Sequence, residues 1–282
     1  MTPLVVAAVL LAAVTHASWN AIAHGIRDQL LAFTLVGGGG AVCGALLAGC
    51  TPLPAAGAWP YLVASSVLHI VYQALLMQSF RLGDFGQMYP IARGTAPLVV
   101  TVLAAVFVHE VPDGLALAGV ALASVGLVGL ALWGIRGSGT RPHWPAIAAA
   151  LATGLSIASY TTVDGLGVRA SGTPVGYIGW LMILQGLIIP AYALAVRRGQ
   201  LLGQLRPFAL RGLFGSVLSV FAYGLVLWAQ TRAPLAPIAA LRESSIIVGA
   251  AIGTLFFKER FGLPRIAAAG LMVAGIGLML AG

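Results

Sequence analysis

Three charged side chains, Arg93, Arg242 and Glu243, lie inside runs of apolar residues. A guanidinium in hydrocarbon costs at least about 2.5–3.5 kcal/mol, so each arginine should face protein or a wet cavity. Two guanidiniums flanking one space could take a carboxylate or phosphate through forked hydrogen bonds. The plainer alternatives are that each side chain reaches back to a polar boundary or ties down carbonyls of a neighbouring helix. An apolar residue at either position would suit its run better than an unpaired charge. Glu243 stands as the one carboxylate well inside such a run. Alone it would be protonated; beside Arg93 it could stay ionised, as a proton-coupling group, an amine ligand or a structural partner. Arg242 and Glu243 point about 100° apart on a helix, so they need not neutralise each other.

A second set of polar and aromatic residues shares helical faces. His16, Asn20 and His24 recur every four positions with Trp19 beside them, and His69, Tyr72 and Gln73 cluster in a later run. Ser156, Ser159, Tyr160 and Asp164 form a third face, with Tyr89 and Tyr223 on two more. Polar faces on otherwise apolar helices suggest the lining of a cavity. For a single member, an ordinary helix–helix hydrogen bond explains as much. Trp19, Tyr72, Tyr89 and Tyr223 could enclose an apolar or cationic moiety. Cys43 and Cys50 share one helical face and read as small packing residues, and no metal-ligand spacing occurs.

The elements that must position these residues are membrane spans. The chain is 60% hydrophobic and 8% charged, against roughly 25% charged in soluble domains. Apolar runs predict ten helices of about 20 residues, over 3–24, 30–50, 59–80, 87–109, 114–135, 145–165, 174–196, 209–231, 234–257 and 262–281. The first lacks a basic leader and is long enough to span, so it reads as a helix rather than a signal peptide. The net charge of +8 comes from basic residues in short connections, which excludes a nucleic-acid patch. Trp59 and Trp144 sit at span ends, where aromatic side chains anchor at the interface. Gly119, Gly126, Gly129 and Gly134 in span five, with Gly270, Gly275 and Gly277 in span ten, read as packing devices. The run Gly37 to Gly40 reads as looser, a flexing point.

The chain also repeats itself. Arg93 to Glu110 aligns without a gap on Arg242 to Glu259, matching arginine with arginine, Phe107 with Phe256 and glutamate with glutamate. Ala17 to Asn20 aligns more weakly on Ala158 to Thr161. Two five-helix units, residues 1–136 and 145–282, follow. An odd number of spans per unit makes the second enter the membrane from the opposite side, as an inverted repeat. Arg27, Arg81, Arg136, Arg141, Arg197, Arg198, Arg206, Arg211, Lys258, Arg260 and Arg265 fall on one side, and only Arg169 and Arg232 on the other. By the positive-inside rule the first set is cytoplasmic and both termini are extracytoplasmic.

These features resemble the drug/metabolite transporter superfamily, and within it the EamA-type transporters. In those proteins a helix ends in a glutamate before a turn and a glycine-rich last helix. Phe107 to Glu110 with Gly114 and Gly119, and Phe256 to Glu259 with Gly262 and Gly270, carry the resemblance. Tyr89 to Pro97, preceded by Arg81 to Asp84, is similar to one branch of unassigned EamA proteins. The resemblance implies a multi-pass protein of the inner or plasma membrane that moves small organic metabolites such as amino acids or amines, commonly outward. It also implies cytoplasmic termini, which the arginine distribution contradicts.

Taken together, the expectation is an all-α integral membrane protein working as a secondary transporter by alternating access, without a cofactor. Arg93, Arg242, Trp19, Asn20, His69, Tyr72, Tyr89, Tyr160 and Tyr223 are the candidate substrate-binding residues, and Glu243 and His16 the coupling candidates. A flippase for a lipid-linked headgroup is the alternative, and it would show a lateral opening. Gly154 to Ser156 resembles the surroundings of an intramembrane serine nucleophile, but no histidine follows His143 to act as its base. No phosphate-cradling loop and no paired aspartates support another enzyme class. Substrate identity, coupling ion and oligomeric state are open at this level.

Overall fold

The computed structural model describes residues 1–82, 85–137, 143–257 and 263–281. The described residues are 89% helix, and no strand occurs among them. Thirteen α-helices follow in order among those residues. They are α1 (Pro3–His24), α2 (Gln29–Gly49), α3 (Trp59–Leu82), α4 (Phe85–Leu103), α5 (Gly114–Gly137), α6 (Trp144–Ala170) and α7 (Pro174–Gly186). Then come α8 (Ile188–Arg197), α9 (Leu201–Leu205), α10 (Ala209–Gln230), α11 (Leu235–Arg242), α12 (Ser245–Phe257) and α13 (Leu263–Ala281). Seven helical stretches of the described chain are long and apolar enough to cross a membrane. Without water to satisfy it, a lipid-facing backbone must bond within its own helix, which is why apolar runs become helices here.

Local chemistry sets the ends. Thr2 caps α1 ahead of Pro3, and Thr173 caps α7 by accepting from Gly176 N at 3.2 Å ahead of Pro174. Asp113 Oδ1 accepts from Ala116 N at 2.8 Å at the start of α5. Asp28 caps α2 through Leu30 N and Leu31 N, and its other oxygen pairs with Arg197 at 2.6 Å. Gly172 makes the turn between α6 and α7 at φ +69°, a conformation that favours glycine.

Two expected spans are broken rather than continuous. Residues 174–196 divide into α7 and α8 at Leu187, and residues 234–257 divide into α11 and α12 at Glu243 and Ser244. The fourth span ends in a π turn, Ala104–Val108, followed by His109 at φ 57°. The widened turn and left-handed residue bring Glu110 back so that its amide donates to Ala104 O at 3.1 Å. Widened turns of this kind recur at functional sites.

The packing is reciprocal: α1 lies along α10 and α3 along α6, while α2 crosses α7 and α5 crosses α13. The last two crossings depend on small residues. A Cβ on Gly275 would come within 2.6 Å of Gly119 O, and one on Gly44 within 2.6 Å of Gly179 O. Gly37 to Gly40 are not loose. They receive Gly186 and Pro190 of the α7–α8 segment and Ser216 of α10, because a helix face without side chains lets two backbones approach at once. By contrast a Cβ on Gly129, Gly270 or Gly277 would meet nothing within 4 Å among the described residues. Cys43 packs beside the core around Leu62 and Leu181, whereas Cys50 caps the end of α2 exposed. Of the glutamate repeat, Glu110 is described; Lys258, Glu259 and Gly262 lie outside the described residues, as do Gly83 and Asp84.

Candidate functional site

The charged pair comes from opposite halves of the chain. Arg93 of α4 places Nε 2.7 Å from Glu243 Oε2, with both side chains almost fully buried. Its NH2 group also donates to Ser245 Oγ at 3.3 Å, and its guanidinium carbon stands 5.8 Å from the Tyr89 ring centroid. An isolated charge of either sign would be expensive here; the two together are tolerable because each removes the other's need for water. Glu243 therefore meets Arg93 across the interface, one of the arrangements the sequence left open.

The break between α11 and α12 falls on the polar residues Glu243 and Ser244, where tighter i→i−3 bonds, Glu243 N to Ala240 O and Ser244 N to Leu241 O at 3.1 Å each, replace the α-helical pattern. Arg242, 5% exposed, has a buried Nε with no hydrogen-bond partner among the described residues, and Glu243 Oε1 is likewise unpartnered. Arg93 and Arg242 are charged neighbours of His16, Tyr72 and Tyr160, and Glu243 is a third for Tyr160. The site thus has one guanidinium nitrogen, Arg242 Nε, and one carboxylate oxygen, Glu243 Oε1, without a hydrogen-bond partner among the described residues, while the Arg242 side chain also bonds Tyr160.

Around them stands an aromatic group. The His69 ring of α3 stacks on Tyr160 of α6 at 4.0 Å and meets Tyr223 of α10 edge-on at 5.8 Å. Tyr72 meets Tyr160 edge-on at 5.6 Å. Ser65, one turn before His69, holds its Nδ1 through the carbonyl at 2.9 Å and the hydroxyl at 3.2 Å. Ser156 Oγ donates to Leu68 O at 3.1 Å and fixes α6 against α3.

Of the expected residues, the structure gathers Arg93, Arg242, Glu243, Tyr89, His69, Tyr72, Tyr160 and Tyr223 in one region. On α1, Trp19 Nε1 donates to His16 Nδ1 at 3.3 Å and Asn20 Nδ2 to His16 O at 2.8 Å. Those three half-buried residues contact one another, and Arg93 and Arg242 are the charges that act on His16. The His24 side chain lies outside the described part. Ser159 does not join; its hydroxyl donates to Leu155 O on its own helix at 2.8 Å.

Glu243 is not the one carboxylate well inside a helix. Asp164 is fully buried, because α6 continues to Ala170 rather than ending at 165. Its Oδ1 accepts from Tyr177 OH at 2.9 Å, and its Oδ2 accepts from Tyr223 OH in a short hydrogen bond. Tyr177 belongs to no polar face in the sequence, and nothing in its spacing would have found it. The break at Glu243 did have a signal, four consecutive non-apolar residues from Arg242 to Ser245 in an otherwise apolar run.

A second cluster ties the two halves at helix ends. Glu110 Oε1 accepts from Arg169 at 2.6 Å, and its Oε2 accepts from Leu235 N at 2.9 Å. Arg169 also donates to Gln230 O at 2.7 Å and Ala233 O at 3.0 Å. The start of α11 is capped by a glutamate from the other half.

Comparison with known proteins accords with this architecture. Residues 144–281 match the model of the EamA-like transporter family. No curated protein matches the sequence. A solved structure, titled only as the crystal structure of a protein, superposes at TM-score 0.70 and 14% identity, covering 99% of this chain and 96% of its own. It shares the fold.

Proposed function

From the match of residues 144–281 to the EamA-like transporter family model, we propose that the whole chain is a secondary transporter of amino-acid-like or amine-like solutes. Ten spans form two inverted five-helix repeats, 1–136 and 145–282, and the solute is exported by alternating access. The reciprocal packing of α1 on α10 and α3 on α6 supports the repeat, since each contact is the other's mate under the Arg93 to Arg242 alignment. The arginine distribution supports extracytoplasmic termini.

One observation carries the solute class. Arg242 Nε and Glu243 Oε1 are buried and have no hydrogen-bond partner among the described residues, at the break of a discontinuous helix. Broken helices of this kind hold substrate near the midplane of inverted-repeat transporters. A solute bearing both a carboxylate and an ammonium satisfies both atoms at once, the carboxylate at Arg242 and the ammonium at Glu243. Trp19, Asn20, His69, Tyr72, Tyr89, Tyr160 and Tyr223 would surround the rest of it, with Arg93 holding Glu243 in place and His16 beside the charges.

A thermal-shift panel of amino acids, their decarboxylated amines and their deaminated acids, run on the purified protein, tests this. A ligand at about 100 times its Kd adds roughly 2.7 kcal/mol to stability, a readily measured shift. Zwitterions should stabilise most and each half-ligand less; stabilisation by none of the three classes overturns the assignment.

A lateral groove favours a second reading. A cavity of about 470 Å³ opens between α1 and α10, lined by Ala21, Ile22, Gly25, Leu210, Arg211 and Phe214. Its apolar walls and single arginine suit the chain and headgroup of an anionic lipid, as a flippase would require. Scrambling of a labelled anionic lipid in reconstituted vesicles, absent in Arg211→Ala, would favour it over a soluble solute.

A further inference from the structure

Asp164 has no role in binding the charged ends of a solute, yet it is the hub of a four-helix contact. Its own helix is α6; Tyr177 comes from α7 and Tyr223 from α10, and Ser65 and His69 face it from α3. Tyr160, one turn earlier on α6, stacks on His69. No arginine or lysine forms an ion pair with it among the described residues; Arg169 at the end of α6 is engaged by Glu110 instead. Its hydrogen-bond partners are neutral hydroxyls and the basic side chain facing it is His69, so the buried carboxylate gains stability from a proton of its own or from a cation beside it.

The geometry favours the proton. Both carboxylate oxygens already accept a tyrosine hydroxyl, and a metal cation would need oxygen lone pairs on several sides. No group of three or more His, Cys, Asp and Glu side chains gathers among the described residues. A proton needs no such cage. We propose that Asp164 is the proton-binding site that couples transport, with Tyr223 as the element that senses its charge state. This rests on the transporter function proposed above.

The step is a simple proton balance. A proton taken from water on one side converts the carboxylate to the acid, and its release to the other side restores the carboxylate. While ionised, Asp164 accepts from both tyrosines. Once protonated, one oxygen becomes a donor, and a hydroxyl facing it must turn its own hydrogen away and accept. Tyr177 is fully buried against the core around Leu181, whereas Tyr223 is half-buried and its ring rests edge-on against His69. Tyr223 is therefore the hydroxyl free to turn. Its movement reaches the aromatic group through His69 and Tyr160, and through Tyr160 the space beside Arg242. Glu243 is less suited, because a proton there would orphan Arg93.

Infrared difference spectroscopy of the full chain in lipid, recorded between acidic and alkaline pH, tests the site without any solute. The wild type should show a carboxylic-acid carbonyl band that titrates; Asp164→Asn should lose it, and Tyr223→Phe should fold but move its midpoint. A band that persists unchanged in Asp164→Asn, or one that disappears only in Glu243→Gln, overturns the proposal. Should Asp164→Asn fail to fold, an unmoved midpoint in both Tyr223→Phe and Tyr177→Phe does the same. With a stabilising amino acid from the panel, vesicles holding the wild type should concentrate it when a pH gradient is imposed, and Asp164→Asn should only equilibrate it. If no solute binds at all, the transporter assignment falls while the titrating band still decides the proton site.

Discussion

Arg93 and Glu243 form an ion pair 2.7 Å across that joins α4 of the first half to the helix break of the second. An apolar replacement of Arg93 therefore does not relieve the span of an unpaired charge, as its sequence suggests; it creates one at Glu243. Arg93→Met should cost about 3–5 kcal/mol and lower the yield of folded protein. Arg93→Met with Glu243→Met should restore much of the folded yield, since an apolar pair of similar volume is often neutral or better. Size-exclusion fluorescence with a thermal ramp reads both, and equal losses in the single and double variants would contradict the pairing.

Arg242 should behave differently, because its Nε has no hydrogen-bond partner among the described residues and its loss leaves only the neutral Tyr160 hydroxyl short of a bond, not a buried opposite charge. Arg242→Met should fold nearly as well as the wild type and lose stabilisation by zwitterions. Arg242→Lys keeps the charge but not the forked donors, so ligand affinity should fall at least tenfold. Normal solute binding by Arg242→Met would remove this residue from the site.

At the helix ends, Arg169 satisfies three acceptors at once: Glu110 and the carbonyls of Gln230 and Ala233. Lysine cannot reach all three, so Arg169→Lys should destabilise almost as much as Arg169→Ala, by about 1–3 kcal/mol. The pair is partly exposed, so its direct Coulomb share is small and added salt should change these losses little. Unfolding in detergent at low and high salt checks this.

Glycines that look alike in the sequence should respond differently. Gly275→Leu forces a side chain against the backbone of Gly119 and should separate α5 from α13, with loss of folded protein. Gly277→Ala has open space and should be neutral or slightly stabilising, since glycine within a helix costs about 0.5–1 kcal/mol against alanine. Similar thermal stability for the two variants would contradict the crossing.

Reporter fusions after the last helix and within 197–208 test orientation. An active periplasmic reporter at the C-terminus and an active cytoplasmic one at 197–208 are the expected results, and the reverse pattern would overturn the arginine-based assignment.

The sequence by itself determined the helical class, the bounds of the unbroken spans and where chemistry could lie, but not the breaks at Leu187 and Glu243. Apolar runs the length of a bilayer leave the backbone no alternative, so Pro3–His24 and Ala209–Gln230 are legible almost to the residue. Arg93, Arg242 and Glu243 are legible too, because a charge in an apolar run is conspicuous. Partnership was not legible. Whether Glu243 met Arg93, whether Asp164 was a span end or a hub, and whether Gly37 to Gly40 flexed or packed were left to the tertiary structure. Each depends on which helix lies opposite, and residues such as Tyr177 and Leu235 enter through contacts that no spacing along one helix encodes. Periodicity fixes the face a residue occupies; only the packing of α3, α6, α7 and α10 around one carboxylate decides what that face meets.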